Sequence, residues 1–331
     1  MVRSRVTIPQ LAKELGLSVG TVSGALNNKP SVAESTRERV QAAAARLGYL
    51  PNRSAAALRR GQTGILGLHL PDNTTDLQFY MNFAFGLSSI VAQSGYDVLL
   101  NHEGSRANPV AVVDAAVVVD WAIDLQLPTM LANAGIPVFA VDGVPSEDAP
   151  ATGVISTDYH ARTADIANCA FDSGAKRPLL LSSSSLAQAA WQEEIRQGLE
   201  LTCGERGLPL AYADMRVGST AGEVVAVLEQ LIASEQPDFL VCTGERWAGI
   251  ARSYLKLGTP ESSVPWLAST SGDPITEVAS EHITAIDPRP YEYGQHCGKL
   301  VTDFLNGQGA PNRSTWNSRI SWAKHWDCAK Q

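Results

Sequence analysis

The sequence predicts an α/β chain that begins with a helix-turn-helix head and a hinge helix and continues as two doubly wound α/β subdomains. Three observations predict it. Charge is divided: residues 1–60 hold ten Lys or Arg against three acids, a net of +7, while the whole chain is −8, so the remainder carries −15. The first fifty residues set apolar side chains at helical spacing between turn signals. From Gly64 onward, short apolar runs alternate with amphipathic helical stretches, the pattern of repeated βα units. A basic head on an acidic body points to a nucleic-acid partner, with a solvated basic helix surface as the plain alternative.

The head reads in order. Thr7 is a helix N-cap with Pro9 in the first turn, where a missing N–H costs nothing. Ile8, Leu11, Ala12 and Leu15 form an apolar stripe, and Gly16 can take positive φ and end the helix. Leu17 packs at the corner. Ser18 caps a second short helix from Val19 to Leu26, and helix–turn–helix is complete. In such a unit the second helix enters the major groove and presents its first residues to base edges. Ser18, Thr21, Ser23 and Asn27 can then reach phosphates. A third helix, capped by Ser35, buries Val40, Ala43, Ala44 and Leu47 and stops at Gly48 and Pro51.

Behind it, "PNRSAAALRRGQTG" (51–64) has helical tendency but is too short to be stable alone. It reads either as a plain linker or as a helix that forms on DNA, with Leu58 wedged between base pairs in the minor groove.

These residues carry a resemblance. The segments "LA", "GLS", "TVS" with "LN", "TR", "LGY" and "PN" stand in order over about 55 residues. The head and hinge resemble those of the lac-repressor/galactose-repressor family of bacterial transcription regulators. The resemblance implies base-reading positions at Val19, Gly20 and Gly24. It implies phosphate-contacting positions at Thr7, Ser18, Thr21, Ser23, Asn27 and Ser31. Tyr49 and Asn52 match the approach to the hinge, and Ala55 and Leu58 match the minor-groove pair. The family usually has Arg or His where Gly24 stands. With Val19 offering only an apolar contact and two glycines offering none, direct readout is thin, and shape readout carries more of the specificity.

In the body, "GILGLHL" (64–70), "YDVLL" (96–100), "AAVVV" (115–119) and "IPVFAVD" (136–142) read as buried parallel strands. A helix starts near Phe79. A second series follows at 177–182, 238–243, 265–270 and 283–287, separated by helices over 188–206, 222–234 and 247–257. Two series imply two subdomains.

Signatures of catalysis are missing. No GxGxxG, GxxxxGK[ST] or GxSxG occurs, and "GQHCGK" (294–299) is one residue short of a P-loop. The six histidines lack metal spacing, so neither a metal nor a cofactor is expected. The five cysteines are scattered without a CxxC pair, which favours free structural thiols over disulfides. The N-terminus has no apolar signal segment and no run approaches a membrane span of roughly 18 apolar residues, so a cytoplasmic, nucleoid-associated protein is expected.

The body resembles the family's effector domain, which is similar to periplasmic sugar-binding proteins. "GYDVLL", "GIPVFAVDG", "DYHARTADIA" and "PRPYEYG" carry this weaker resemblance. It implies subdomain one over about 63–156 and 288–331 and subdomain two over about 157–287. The stretch from Asn101 to Asp114 is shorter than the family's usual helix.

In open α/β sheets ligands sit beyond the carboxyl ends of strands. On the first subdomain this puts Asp72, Asp120, Trp121 and Asp142 at the cleft, with Phe79 and Tyr80 opening the first helix. On the second it puts Ser183, Trp191, Glu245, Ser271 and Asp273 there. An Asp at a strand end also serves as a helix cap, and Trp191 also suits a core. Where many sugar-binding relatives place an Arg, this chain has Ile195. Their Asn-Asp pair is Gly244-Glu245, and their Asp before the last loop is Ser271. An arginine clamp of the usual kind is missing, and the remaining acceptors and aromatic faces favour an uncharged polyol or sugar, with a nucleoside second.

The expectation is a homodimeric, sequence-specific regulator, most simply a repressor, on a near-palindromic DNA operator. It is controlled by a small molecule in the cleft. The alternatives are a cytoplasmic small-molecule-binding protein without DNA function, and an enzyme.

Overall fold

The first two helices of the head begin at polar caps, and the third begins at Ala33. The computed structural model describes residues 6–49, 62–71, 77–102, 113–120, 126–143, 150–182, 189–216, 218–258, 265–271, 282–309, 312–324 and 326. The chain divides into two compact units, Met1–Thr63 and Gly64–Gln331.

In the first unit α1 spans Ile8–Leu15, α2 Val19–Leu26 and α3 Glu34–Leu47. The Thr7 N–H donates to Gln10 Oε1 at 2.8 Å, and Gly16 ends α1 with φ of +64°. Ser18 Oγ accepts from the Thr21 N–H at 3.0 Å, which starts α2. The third helix differs from the sequence reading. It begins two residues earlier, Ala33 is its N-cap, and Ser35 lies inside its first turn. Glu34 there complements the positive end of the helix and pairs with Arg37. Leu11, Val22, Ala25, Val32, Val40 and Ala44 form one core, with Leu17 and Tyr49 half-buried against it.

In the second unit the first sheet contains β1 (Ile65–Leu70), β2 (Asp97–His102), β3 (Ala115–Val119), β4 (Val138–Val141), β5 (Gly153–Thr157) and β11 (Arg313–Trp316). Its strand order is β11-β5-β4-β3-β1-β2, and every pairing is parallel. The second sheet contains β6 (Pro178–Ser182), β7 (Ala211–Asp214), β8 (Phe239–Cys242), β9 (Trp266–Ser269), β10 (Thr284–Asp287) and β12 (Arg319–Ser321). Its order is β12-β10-β9-β8-β6-β7, with β12 antiparallel. The two sheets therefore repeat one doubly wound order, and in each the order reverses beside the first strand.

Both faces of both sheets are covered. Leu66, Leu68 and Leu70 pack on α4 (Leu77–Val91) and α10 (Pro290–Leu305), while Ala116 and Val118 face α5 (Gln126–Asn133) and its Leu131. Leu180 packs among residues of α6 (Tyr159–Asp172) and α7 (Ala190–Arg206). Leu179 and Leu181 face the other way, toward α8 (Ala221–Ser234) and α9 (Glu245–Gly258). Alternate residues of a strand point to opposite faces, so an unbroken apolar run is what a doubly covered sheet requires.

Helices α4 and α10 approach backbone to backbone. A Cβ on Gly294 would stand 2.1 Å from the Phe83 carbonyl oxygen, and one on Gly86 would stand 1.9 Å from that of Tyr291. "GQHCGK" is thus a buried helix–helix seam and not a phosphate loop.

The chain crosses between the sheets after β5, after β10 and after β11. The last crossing changes the expected partition. The resemblance implies residues 288–331 in the first subdomain, yet β12 joins the second sheet and Ala323 and Trp326 are buried in its core. An edge strand of three residues is too short to be read from periodicity. The thiol expectation also changes. Cys203, Cys242 and Cys297 are free and buried, but Cys169 is disulfide-bonded, with its partner outside the described residues. A bridge between cysteines distant in sequence leaves no spacing signal.

Candidate nucleic-acid interface and cleft

The surface of α2 is nearly bare. Val19, 51% exposed, stands at its start, and Gly20 opens to solvent, since a Cβ there would meet only Ser18 Oγ at 3.7 Å. Thr7, Ser18, Asn27 and Ser31 are exposed, while Thr21 and Ser23 are half-buried. The Ser18 and Thr21 hydroxyls bond each other at 2.8 Å, and Asn27 Nδ2 donates to the Ser23 carbonyl at 2.7 Å. These small polar groups are held in place by the helix itself. Gly24 is buried beneath Val32. Asn52, Ala55 and Leu58, and with them the expected hinge helix, lie outside the described residues.

The body brings Tyr80 and Asp120 together at the carboxyl end of the first sheet, where the strand order reverses. The Tyr80 hydroxyl donates to Asp120 Oδ2. Asp120 has φ of +51° and Asp142 has φ of +60°. For residues other than glycine this left-handed backbone is uncommon, and Asp tolerates it better than most. Phe79 is 9% exposed and packs edge-on against Tyr80 and stacked on Phe83, inside the core.

Asp142 is buried at 3% exposure. Its Oδ1 accepts from the Thr157 N–H at 2.9 Å and lies 3.0 Å from the Tyr293 hydroxyl. Burial raises its pKa despite these hydrogen bonds. The next residue touches the second subdomain: a Cβ on Gly143 would stand 2.5 Å from Ala190 Cβ, at the start of α7. One turn along α7, Glu194 titrates at about 7, pushed up first by burial and then by the charges of Asp142 and Asp158. Trp191, on the same turn, leans on Tyr159 with ring centroids 6.0 Å apart. Ser271 is half-buried, and its carbonyl accepts from Ser269 Oγ at 2.8 Å. Asp72, Trp121, Ser183 and Asp273, and the side chain of Glu245, lie outside the described residues. Ile195 is fully buried in the second subdomain's core.

The crossings are tied to one another. Ser318 donates to Asp158 Oδ1 through its N–H at 2.9 Å and its hydroxyl at 2.6 Å. Trp316 Nε1 donates to the Pro288 carbonyl at 2.6 Å, and Arg289 Nη2 donates to that of Asn317 at 2.7 Å. The Arg289 guanidinium lies over the Trp316 ring, 4.4 Å from its centroid. Tyr293 stacks on Trp316 at 5.5 Å with the planes 4° apart. Sequence reasoning missed Glu194, Tyr293, Trp316 and Arg289; "PRPYEYG" pointed to the right place without assigning a role.

Residues 7–52 match the family of bacterial regulatory proteins described as the lacI family. Over 313 residues the chain is 23% identical to catabolite control protein A of Staphylococcus aureus, covering 92% of this chain and 93% of that protein. The head therefore carries the lacI-family match, and the chain as a whole is similar to a transcription regulator of matching length. The fold agrees. The lac repressor dimer bound to operator and an anti-inducer superposes with a TM-score of 0.80 at 18% identity, covering 96% of this chain and 98% of that one. A transcriptional regulator CelR–cellobiose complex does so with a TM-score of 0.65 at 21% identity, covering 96% and 98%. The chain is a DNA-binding transcription regulator, and the proteins it matches are regulators rather than enzymes. Among the described residues no helix is long and apolar enough to cross a membrane, and no cluster of His, Cys, Asp or Glu could hold a metal ion.

Proposed function

We propose that the regulator binds a near-palindromic operator as a homodimer and is released from it by a small uncharged polyol or sugar bound between the two halves of its body. Residues 1–50 meet the DNA at Val19, Gly20, Gly24 and the small polar residues around them, with little direct base reading by the two glycines. Residues 51–62 form the hinge, and 63–331 bind effector and partner. The observation that carries the effector class is the exchange of a clamp for a core: Ile195 is wholly buried, while the Tyr80–Asp120 pair and half-buried Trp191 offer acceptors and an aromatic face. Carboxylates accept hydroxyl protons and aromatic faces cover C–H-rich rings, whereas an acidic or phosphorylated ligand would meet like charge. Cellobiose in the related complex is consistent with this class. Phe85 and Tyr291, 60% and 43% exposed on two helices in contact, support an apolar partner surface.

A ligand can shift the body only by binding one arrangement better than another; a hundredfold preference corresponds to about 2.8 kcal/mol. The test is a gel shift of the full chain on genomic fragments with a salt titration, repeated with sugars, polyols and nucleosides. A specific complex dissolved by a sugar or polyol is expected. Response to a nucleoside alone, or to none of these compounds, would remove the effector class while leaving DNA binding intact. Trp191→Ala or Asp120→Ala should abolish the response and leave binding without effector within a few-fold.

A further inference from the structure

Gly24 stands on the flank of α2, at a position the family resemblance assigns to base reading, yet it has no side chain to read with. The structure gives the reason for the glycine. A Cβ at this position would stand 2.9 Å from Cγ2 of Val32, so only glycine lets the loop after α2 close onto the helix. The same closure lays Lys29 along the vacated flank. Its Cβ and Cδ pass 4.0 and 3.9 Å from where the Gly24 Cβ would be.

The Lys29 backbone is held at both ends. Its N–H donates to the Gly24 carbonyl at 2.9 Å, and its carbonyl accepts from the Val32 N–H at 3.1 Å and from Arg37 Nη2 at 3.3 Å. Arg37 also donates to the Val32 carbonyl and is anchored by Glu34. The preceding residue, Asn28, has φ of +51° and accepts from Gln41 Nε2 at 3.3 Å. At the other end of the side chain, the exposed Lys29 makes no salt bridge to any described residue. A held backbone carrying a free ammonium beside this flank places a donor there.

We propose that Lys29 is a specificity-determining residue: its ammonium, carried along the Gly24 flank, donates to the base edge that a side chain at position 24 would otherwise read. An ammonium has three donors and no acceptor, so it suits guanine, whose O6 and N7 place two acceptors on one major-groove edge. Adenine and cytosine each put an amino donor on that edge, which an ammonium does not match.

The test is selection of binding sites from random duplex DNA by the full chain, run with wild type, Lys29→Met and Lys29→Arg. Methionine keeps the apolar stem and drops the donors. The expected wild-type site has a preferred guanine in each half-site whose preference Lys29→Met loses and Lys29→Arg keeps. Affinity of Lys29→Met for the wild-type site should fall tenfold or more, with affinity for random DNA changing less than threefold. An unchanged base preference in Lys29→Met overturns the proposal. So does equal loss on all DNA with a shallower salt dependence, which would make Lys29 a phosphate neutraliser. Failure of the wild type to select any sequence would instead overturn sequence-specific DNA binding, on which this inference rests.

Discussion

The hydroxyl of Tyr293 lies 3.0 Å from a carboxylate oxygen of Asp142, a residue 151 positions away in the chain and 3% exposed. The same hydroxyl lies 2.9 Å from the Ile155 carbonyl, and the Tyr293 ring stacks on Trp316 where the chain crosses between subdomains. One side chain therefore connects the floor of the cleft to a crossing between the subdomains.

Tyr293→Phe removes that donor. The Asp142 carboxylate then keeps the Thr157 N–H but loses the tyrosine hydroxyl, and a buried carboxylate short of a partner costs about 1–3 kcal/mol. The loss should appear in urea unfolding at pH 8 and shrink toward pH 4. Burial already raises this pKa, and removing a donor raises it further, so the variant pays only where Asp142 must ionise. A loss equal at both pH values would mean that packing alone is involved.

Gly294→Ala should destabilise the body by about 1–3 kcal/mol, because its methyl would fall 2.1 Å from the Phe83 carbonyl oxygen and force α4 and α10 apart. Gly20→Ala in the head should do the reverse and gain up to about 1 kcal/mol of helix stability, since its Cβ makes only an ordinary contact with Ser18 Oγ. Thermal melts of both variants check the contrast; similar effects at the two sites would contradict the described packing.

His69 and Glu194 should give stability opposite dependences on pH. Burial lowers the His69 pKa from 6.5 to about 4, so its contribution is present above pH 6.5 and is lost as pH falls through 4. Glu194 is raised from 4.5 to about 7, so its contribution is present below pH 4.5 and is lost as pH rises through 7. Glu194→Gln should therefore be more stable than wild type at pH 8 and nearly equal at pH 4. His69→Gln should flatten the decline between pH 6.5 and 4. Either variant tracking wild type across the whole range would remove that residue from the account.

Leu58, outside the described residues, is expected to open a base step. Leu58→Ala should weaken operator binding strongly, leave non-specific binding nearly intact and reduce DNA bending in a circular-permutation gel. Equal loss of both kinds of binding would point to a purely electrostatic hinge.

The sequence by itself determined the head. Caps at Thr7 and Ser18, glycines at Gly16 and Gly48, and an apolar stripe are local signals, each decided by a few neighbouring residues. The doubly covered strands were legible for the same reason, because a strand buried on both faces must be apolar throughout. Short or half-exposed strands such as Ala211–Asp214 and Arg319–Ser321 carry no such pattern and were not. The cleft was legible only as a set of strand ends. Only the tertiary structure decided that Tyr80 bonds Asp120, that Asp142 belongs to Tyr293 and Thr157, and that Gly143 meets Ala190. It also decided that Gly24 serves the packing of Val32 rather than marking a contact simply lost. Each of these depends on atoms far apart in the chain meeting within a few ångströms, and periodicity records only which face a residue presents, not what it will meet there.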